Sequence, residues 1–316
     1  MNEYRLTEPR YEAMKYRRCG KSGLLLPEVS LGFWHNFGAE ADYDKCRSIV
    51  EYAFDHGITY FDLANNYGPP YGSAEETFGK IFEDSLKSHR DEIIVATKAG
   101  HDMWPGPYGE WGSRKNLIAS LDQSLKRLRL DYVDIFYSHR PDFETPLEET
   151  LETLVDIVRQ GKALYVGLSK YPADMAARAY DYLESRHVRC LVYQGKYNMF
   201  LRDHEADILP QCGERGVGYV AFSPLAQGLL TDRYLHGIPE GSRATHSRFL
   251  HSSDIDEETL AQIRSLNDEA LAKGQTLAQM ALSWILRRPE VTSVIVGASS
   301  VGQLEANLKA IETPYE

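Results

Sequence analysis

The stretch Gly57-Ile58-Thr59-Tyr60-Phe61-Asp62-Leu63-Ala64-Asn65-Asn66-Tyr67-Gly68 decides the reading of this chain. It opens on a β-branched and aromatic run and passes without a break into polar residues. Such side chains suit a buried, pleated surface, so residues 58–64 read as a strand. Asp62 and Tyr67 fall at or just past its carboxyl end. Two later stretches repeat the pattern. Ile93-Ile94-Val95-Ala96-Thr97-Lys98 finishes on an amine, and Val133-Asp134-Ile135-Phe136-Tyr137-Ser138-His139 finishes on an imidazole. In a parallel barrel all strand ends meet at one rim, where such barrels carry their chemistry. A carboxylate, a phenol, an amine and an imidazole gathered there form an acid–base device. Its natural task is moving a proton onto or off a carbonyl oxygen.

Further strand-like runs occupy residues 29–34, 163–169, 191–198, 217–224 and 291–298, with 92–98 and 133–139 holding the amine and the imidazole. Helical periodicity fills the gaps, over 43–56, 74–88, 113–128, 146–160, 172–186, 204–214 and 276–287. In the first of these Cys46, Ile49, Val50, Ala53 and Phe54 share a face. In the third, Ser113 is placed to cap a helix carrying Leu117, Ile118, Leu121, Leu125 and Leu128. Eight alternations predict an α/β fold, a (β/α)8 TIM barrel, as a single domain over residues 1–316. A doubly wound sheet is the rival, but no G-x-G-x-x-G follows the first strand. Ahead of the barrel, Gly20-Lys21-Ser22-Gly23 sits between short apolar pieces and predicts a hairpin. Long insertions at 99–112 and 228–254 fall where barrels build their rim loops.

A formal charge of −11 argues against a general nucleic-acid surface, though a local basic pocket for a phosphorylated ligand stays open. Cys19, Cys46, Cys190 and Cys212 form no C-x-x-C pair. Neither a metal site nor a disulfide framework is expected, and buried thiols in a reducing compartment are the simpler reading. The polar start Met1-Asn2-Glu3-Tyr4-Arg5 leads into no signal-like region, and no run is long and apolar enough for membrane insertion. A cytoplasmic protein is expected.

Taken together these motifs resemble the aldo-keto reductases over roughly residues 14–311. The match includes residues 57–68, Thr97-Lys98, Leu130-Asp131-Tyr132-Val133-Asp134-Ile135, Gly161-Lys162-Ala163-Leu164-Tyr165-Val166-Gly167-Leu168-Ser169, Phe222-Ser223-Pro224-Leu225 and Gly297-Ala298-Ser299. The pieces Asn65-Asn66-Tyr67-Gly68-Pro69-Pro70 and Met103-Trp104-Pro105-Gly106-Pro107-Tyr108-Gly109 look like a branch of bacterial glyceraldehyde-3-phosphate and methylglyoxal reductases. That branch also holds the β subunits of voltage-gated potassium channels.

The resemblance implies NADPH-dependent reduction of small aldehydes, with NADP+ released and NADH the less favoured cofactor. Tyr67 is then the proton donor, Lys98 and Asp62 its tuners, and His139 the group that orients the carbonyl oxygen. A nearby ammonium is expected to favour the phenolate. Ser169 and Gln194 map onto the nicotinamide carboxamide, and Phe222 onto its face. Ser223, Leu225 and Gly228 map onto the pyrophosphate, with Arg243, Gly297, Ser299, Gln303 and Asn307 around the adenosine half. Trp34 and Trp104, with Tyr67 and His139, are the implied substrate contacts. Ser300 stands where several relatives carry a basic residue for a 2'-phosphate, and Ala306 where near relatives often carry Glu. Arg243 and Arg248 are the alternative sources of that charge. A homo-oligomer, tetrameric or larger, fits the branch. The alternative is a cofactor-binding, redox-sensing regulatory subunit like the channel-associated relatives, although His139 stands where those tend to carry Asn.

Overall fold

The computed structural model describes residues 10–239, 250 and 255–315. Ten strands are present among them. β1 (Tyr16–Arg18) and β2 (Leu25–Pro27) form an antiparallel hairpin. The other eight are β3 (Val29–Gly32), β4 (Tyr60–Asp62), β5 (Ile94–Ala99), β6 (Val133–Ser138), β7 (Ala163–Ser169), β8 (Cys190–Lys196), β9 (Gly218–Phe222) and β10 (Val291–Val296). They close into one parallel barrel in chain order, with β10 pairing β3. This is the predicted (β/α)8 barrel with its preceding hairpin.

The helices around the barrel are α1 (Tyr43–Asp55), α2 (Ser73–Ile81), α3 (Arg114–Leu128), α4 (Leu147–Arg159), α5 (Ala173–Ser185), α6 (Ile208–Arg215), α7 (Glu257–Ala272), α8 (Leu277–Leu286) and α9 (Val301–Leu308). Their starts follow local chemistry. The Asp42 and Ser113 side chains accept the backbone N–H of Lys45 and Asn116, so each supplies a partner that a helix end lacks. Thr276 and Gln279 complete a reciprocal capping box on α8. On α4, Leu147, Leu151, Leu154 and Val155 face inward at helical spacing.

Three differences from the sequence reading stand out. Strand β4 is shorter than the expected 58–64, although beyond Asp62 the chain stays tied to β5 by Leu63 N–H to Ala96 O and Asn65 N–H to Lys98 O. The helix expected over 74–88 is regular only to Ile81. It continues as a π turn (Phe82–Leu86) and a 3-10 segment (Lys87–Glu92), which keeps both Phe82 and Leu86 buried. Helix α7 was not anticipated. Its fully buried set is only Leu260, Ile263 and Ala270, too thin to print a clear periodic stripe.

Among the described residues, two apolar layers are centred on the barrel. One lies between strands and helices; the other fills the barrel itself with Tyr60, Ala96, Ile135, Tyr137, Val192, Val220 and Ile295. The hairpin contributes Cys19 and Leu26 to that inner layer, and Lys21 N–H bonds Gly216 O just before β9. The hairpin therefore plugs the amino-terminal end of the barrel. The opposite rim stays available for chemistry.

Candidate active site

Strand β5 carries Lys98 as its fifth residue, fully buried, so it is no solvated strand end. An ammonium has three N–H donors and no acceptor. One donates to Asp62 Oδ2 at 2.6 Å and another to the Leu63 carbonyl at 2.6 Å. The third reaches the Tyr67 oxygen at 3.4 Å. The other Asp62 oxygen accepts from Gln194 Nε2 at 2.8 Å and from the Tyr60 hydroxyl at 3.1 Å. The Tyr60 hydroxyl in turn lies 2.8 Å from that of Tyr137. Asp62 is thus held by β4, β5 and β8 together.

This geometry directs the Tyr67 proton. Its oxygen accepts from Lys98, so its own O–H is left to point away from the lysine. Burial first, and the Asp62 carboxylate second, hold the phenol well above its ordinary range. The sequence reading had the ammonium favouring the phenolate; in the folded chain desolvation of the anion wins. Lys98 is itself lowered by burial, against the pull of Asp62.

His139 follows β6 directly, its N–H bonded to Ala99 O at 2.9 Å. Its ring centroid is 5.9 Å from that of Tyr67, edge to face, and 4.5 Å from that of His101. Burial, then Lys170, Lys98, His101 and Arg140, depress its pKa well below normal, so the imidazole is neutral. Its Nδ1 is buried without a hydrogen-bond partner. The structure therefore brings all four strand-end residues into one constellation.

The predicted cofactor residues that the structure describes run along the chain from the end of β7 to α9. Ser169 ends β7, buried, with an unpartnered Oγ. Phe222 ends β9 with its ring half-buried. The turn after it places Ser223, Ala226, Gln227 and Gly228 at positive φ, with Leu225 half-buried among them. Non-glycine residues rarely adopt this conformation, and it clusters at ligand-binding turns. Around Gly297 nothing approaches within 4 Å of where a Cβ would stand. Ser299 donates both its N–H and its hydroxyl to Gln303 Oε1, and Asn307 is buried with an unpartnered Nδ2. Ser300 is used as the cap of α9. Arg243 lies outside the described residues, as does Arg248.

Trp34 and Trp104 are half-buried on the rim loops after β3 and β5. The second of these loops is fastened to the end of β6. The Arg140 guanidinium stacks 3.7 Å over Trp111, bonds Gly100 O at 2.9 Å and pairs with Glu110. Asp142 accepts from Gly112 N–H at 2.9 Å. The sequence reading missed Gln194 as a partner of Asp62, and left His101 without a role. It also passed over Lys170, although Lys170 follows the β7 end as His139 follows the β6 end.

Among the described residues no group of three or more His, Cys, Asp or Glu is placed to hold a metal, and no helix is long and apolar enough to cross a membrane. The four cysteines are free and buried. A surface cavity of about 290 Å³ lies at the hairpin end, lined by residues such as Lys21, Arg189 and Arg215, and contains none of the rim residues.

A closed parallel barrel with this rim constellation defines a class. The chain belongs to the aldo/keto reductase family, whose model matches residues 28–316, and is thereby an oxidoreductase. It is 53% identical, over 96% of this chain and 89% of the relative, to a protein of Escherichia coli O157:H7 named L-glyceraldehyde 3-phosphate reductase. It is also 37% identical, over 95% of this chain and 92% of the relative, to a probable voltage-gated potassium channel subunit beta of Arabidopsis thaliana. A putative subunit of the same kind from Schizosaccharomyces pombe (strain 972 / ATCC 24843) is 36% identical over 94% of this chain and 88% of the relative.

Proposed function

We propose that the protein reduces small aldehydes, triose phosphates or methylglyoxal-like compounds among them, to alcohols with NADPH. The observation that carries the reading is the Asp62–Lys98–Tyr67 chain beside a neutral, buried His139. The residues present fit a nicotinamide dinucleotide. Ser169 Oγ at the end of β7 and Asn307 Nδ2 on α9 are buried and orphaned, and the left-handed turn and the open Gly297 come between them in the chain. Ser169 and Gln194 would hold the carboxamide, and Phe222 would stack on the nicotinamide. Ser223, Leu225 and Gly228 would take the pyrophosphate, and Ser299, Gln303 and Asn307 the adenosine half. Bound there, the cofactor supplies hydride to the carbonyl carbon.

The protein's part is charge and proton control. As negative charge builds on the carbonyl oxygen, a neutral His139 can donate a hydrogen bond to it. Tyr67, kept protonated by burial, gives up its proton to the same oxygen. Lys98 then stabilises the phenolate left behind, and Asp62 keeps Lys98 oriented. A proton donor with so high a resting pKa works only because its conjugate base is met by an ammonium at once.

Replacing Tyr67 with Phe is expected to lower kcat by about 10²- to 10⁴-fold, the usual worth of a positioned acid. NADPH binding, read by quenching of tryptophan fluorescence, should survive. Retained turnover in that variant would sink the assignment. The regulatory-subunit reading rests on the channel-type relatives, and tight cofactor retention without turnover on an aldehyde panel would favour it instead.

A further inference from the structure

We propose that Lys170, braced by His101, is the anion-binding group that selects substrates carrying a phosphate at the far end of a three-carbon chain. This rests on the reductase reading above and adds the specificity residue. The Lys170 ammonium donates to His101 Nε2 at 3.2 Å and lies 5.8 Å above the Phe222 ring centroid. The His101 ring is in turn edge-on against His139. The cation therefore sits one imidazole beyond the residue that faces the carbonyl oxygen. A ligand with its carbonyl at His139 and its anion at the other end can meet both.

Three observations show a group free for this task. Among the described residues no carboxylate pairs with Lys170, whereas Lys98 is paired with Asp62 and Arg140 with Glu110. Among the described residues the charges that act on it are positive: Lys98 and Arg140 both disfavour its ammonium, as does partial desolvation, while the side chain stays exposed at the rim. In a chain of net charge −11, an uncompensated basic corner over the rim is the local pocket left open by composition. Finally, Lys170 holds a left-handed backbone, φ 63°, which aims its side chain at some cost. Lysine suits the role because it meets a phosphate as a compact point charge.

The test compares glyceraldehyde 3-phosphate with glyceraldehyde, which differs only in the phosphate. For Lys170→Met the ratio of the two kcat/KM values is expected to fall about 10- to 100-fold, the worth of one hydrogen bond to a charged group. The loss should appear chiefly in KM, and Lys170→Arg should keep most of the preference. A ratio within about twofold of the parent, or an Arg variant no better than Met, would overturn the inference. If the parent reduces neither aldehyde, the reductase reading fails on its own. Calorimetry with glycerol 3-phosphate then decides: binding lost in Lys170→Met supports the site, and no binding by the parent removes it.

Discussion

At the scale of single residues, the buried Asp62–Lys98 pair sets the strongest constraint. Removing one partner leaves an uncompensated charge, so Lys98→Met should cost about 3–5 kcal/mol in urea unfolding. The double variant Asp62→Asn with Lys98→Met is expected to recover much of that stability, because no ion remains to be desolvated, while turnover stays lost. Lys170 makes a pH prediction. Partial desolvation and the charges of Lys98 and Arg140 bring it down to about 8, with His101 and the Phe222 ring as its other close neighbours. Above that pH it loses its charge, so any preference for phosphorylated over plain glyceraldehyde should decline as pH rises through about 8. A preference that is flat from pH 7 to 9 would count against it. That Asp62, Tyr67, Lys98 and His139 meet at one rim was legible in the sequence, because each stands at or just past the end of a strand-like run. The protonation state of Tyr67 was not, since it depends on burial that no spacing encodes.

Among elements, the loop from Gly100 to Gly112 is fastened to the end of β6 by Arg140 and Asp142, and to α3 by Asn116, whose Nδ2 donates to Trp111 O. Arg140→Ala would remove its stack on Trp111 and its bonds to Gly100 and Glu110. These groups are partly exposed, so global stability should change by about 1 kcal/mol or less. Amide exchange over 101–111 should nonetheless rise, with KM for the aldehyde. Exchange unchanged in that segment would show that Asp142 and Thr150, which bond Gly112, suffice to hold it. The sequence revealed the strands well because parallel barrel strands are continuous apolar runs. It revealed the positions of the rim loops but not their fastening, since the Arg140 stack joins residues 29 apart only once the chain has closed.

For the whole molecule, acid lability and the plugged end matter most. Burial and neighbouring cations lower His101 from 6.5 to about 3 and hold His139 well below normal. A group depressed in the folded state adds stability above its unfolded pKa and loses it as pH falls. Unfolding free energy should therefore decline as pH drops below about 6.5, and the slope should lessen in a His101→Gln variant. At the other end of the barrel, a Cβ on Gly218 would stand 2.3 Å from the Cys19 sulfur. Gly218→Ala should cost about 1–3 kcal/mol by overpacking the junction of hairpin and barrel, measurable as a lowered urea midpoint. The hairpin was visible in the Gly20–Gly23 turn; its use as a plug was not, because the partner surface comes from strands far along the chain.

That plug gives the molecule a single doorway. With the barrel floor sealed and its interior packed with tyrosine and aliphatic side chains, whatever arrives at the rim departs the same way. Traffic through one mouth imposes a queue: the guest seated deepest is first in and last out, and the pace of the whole cycle can be set by the exit.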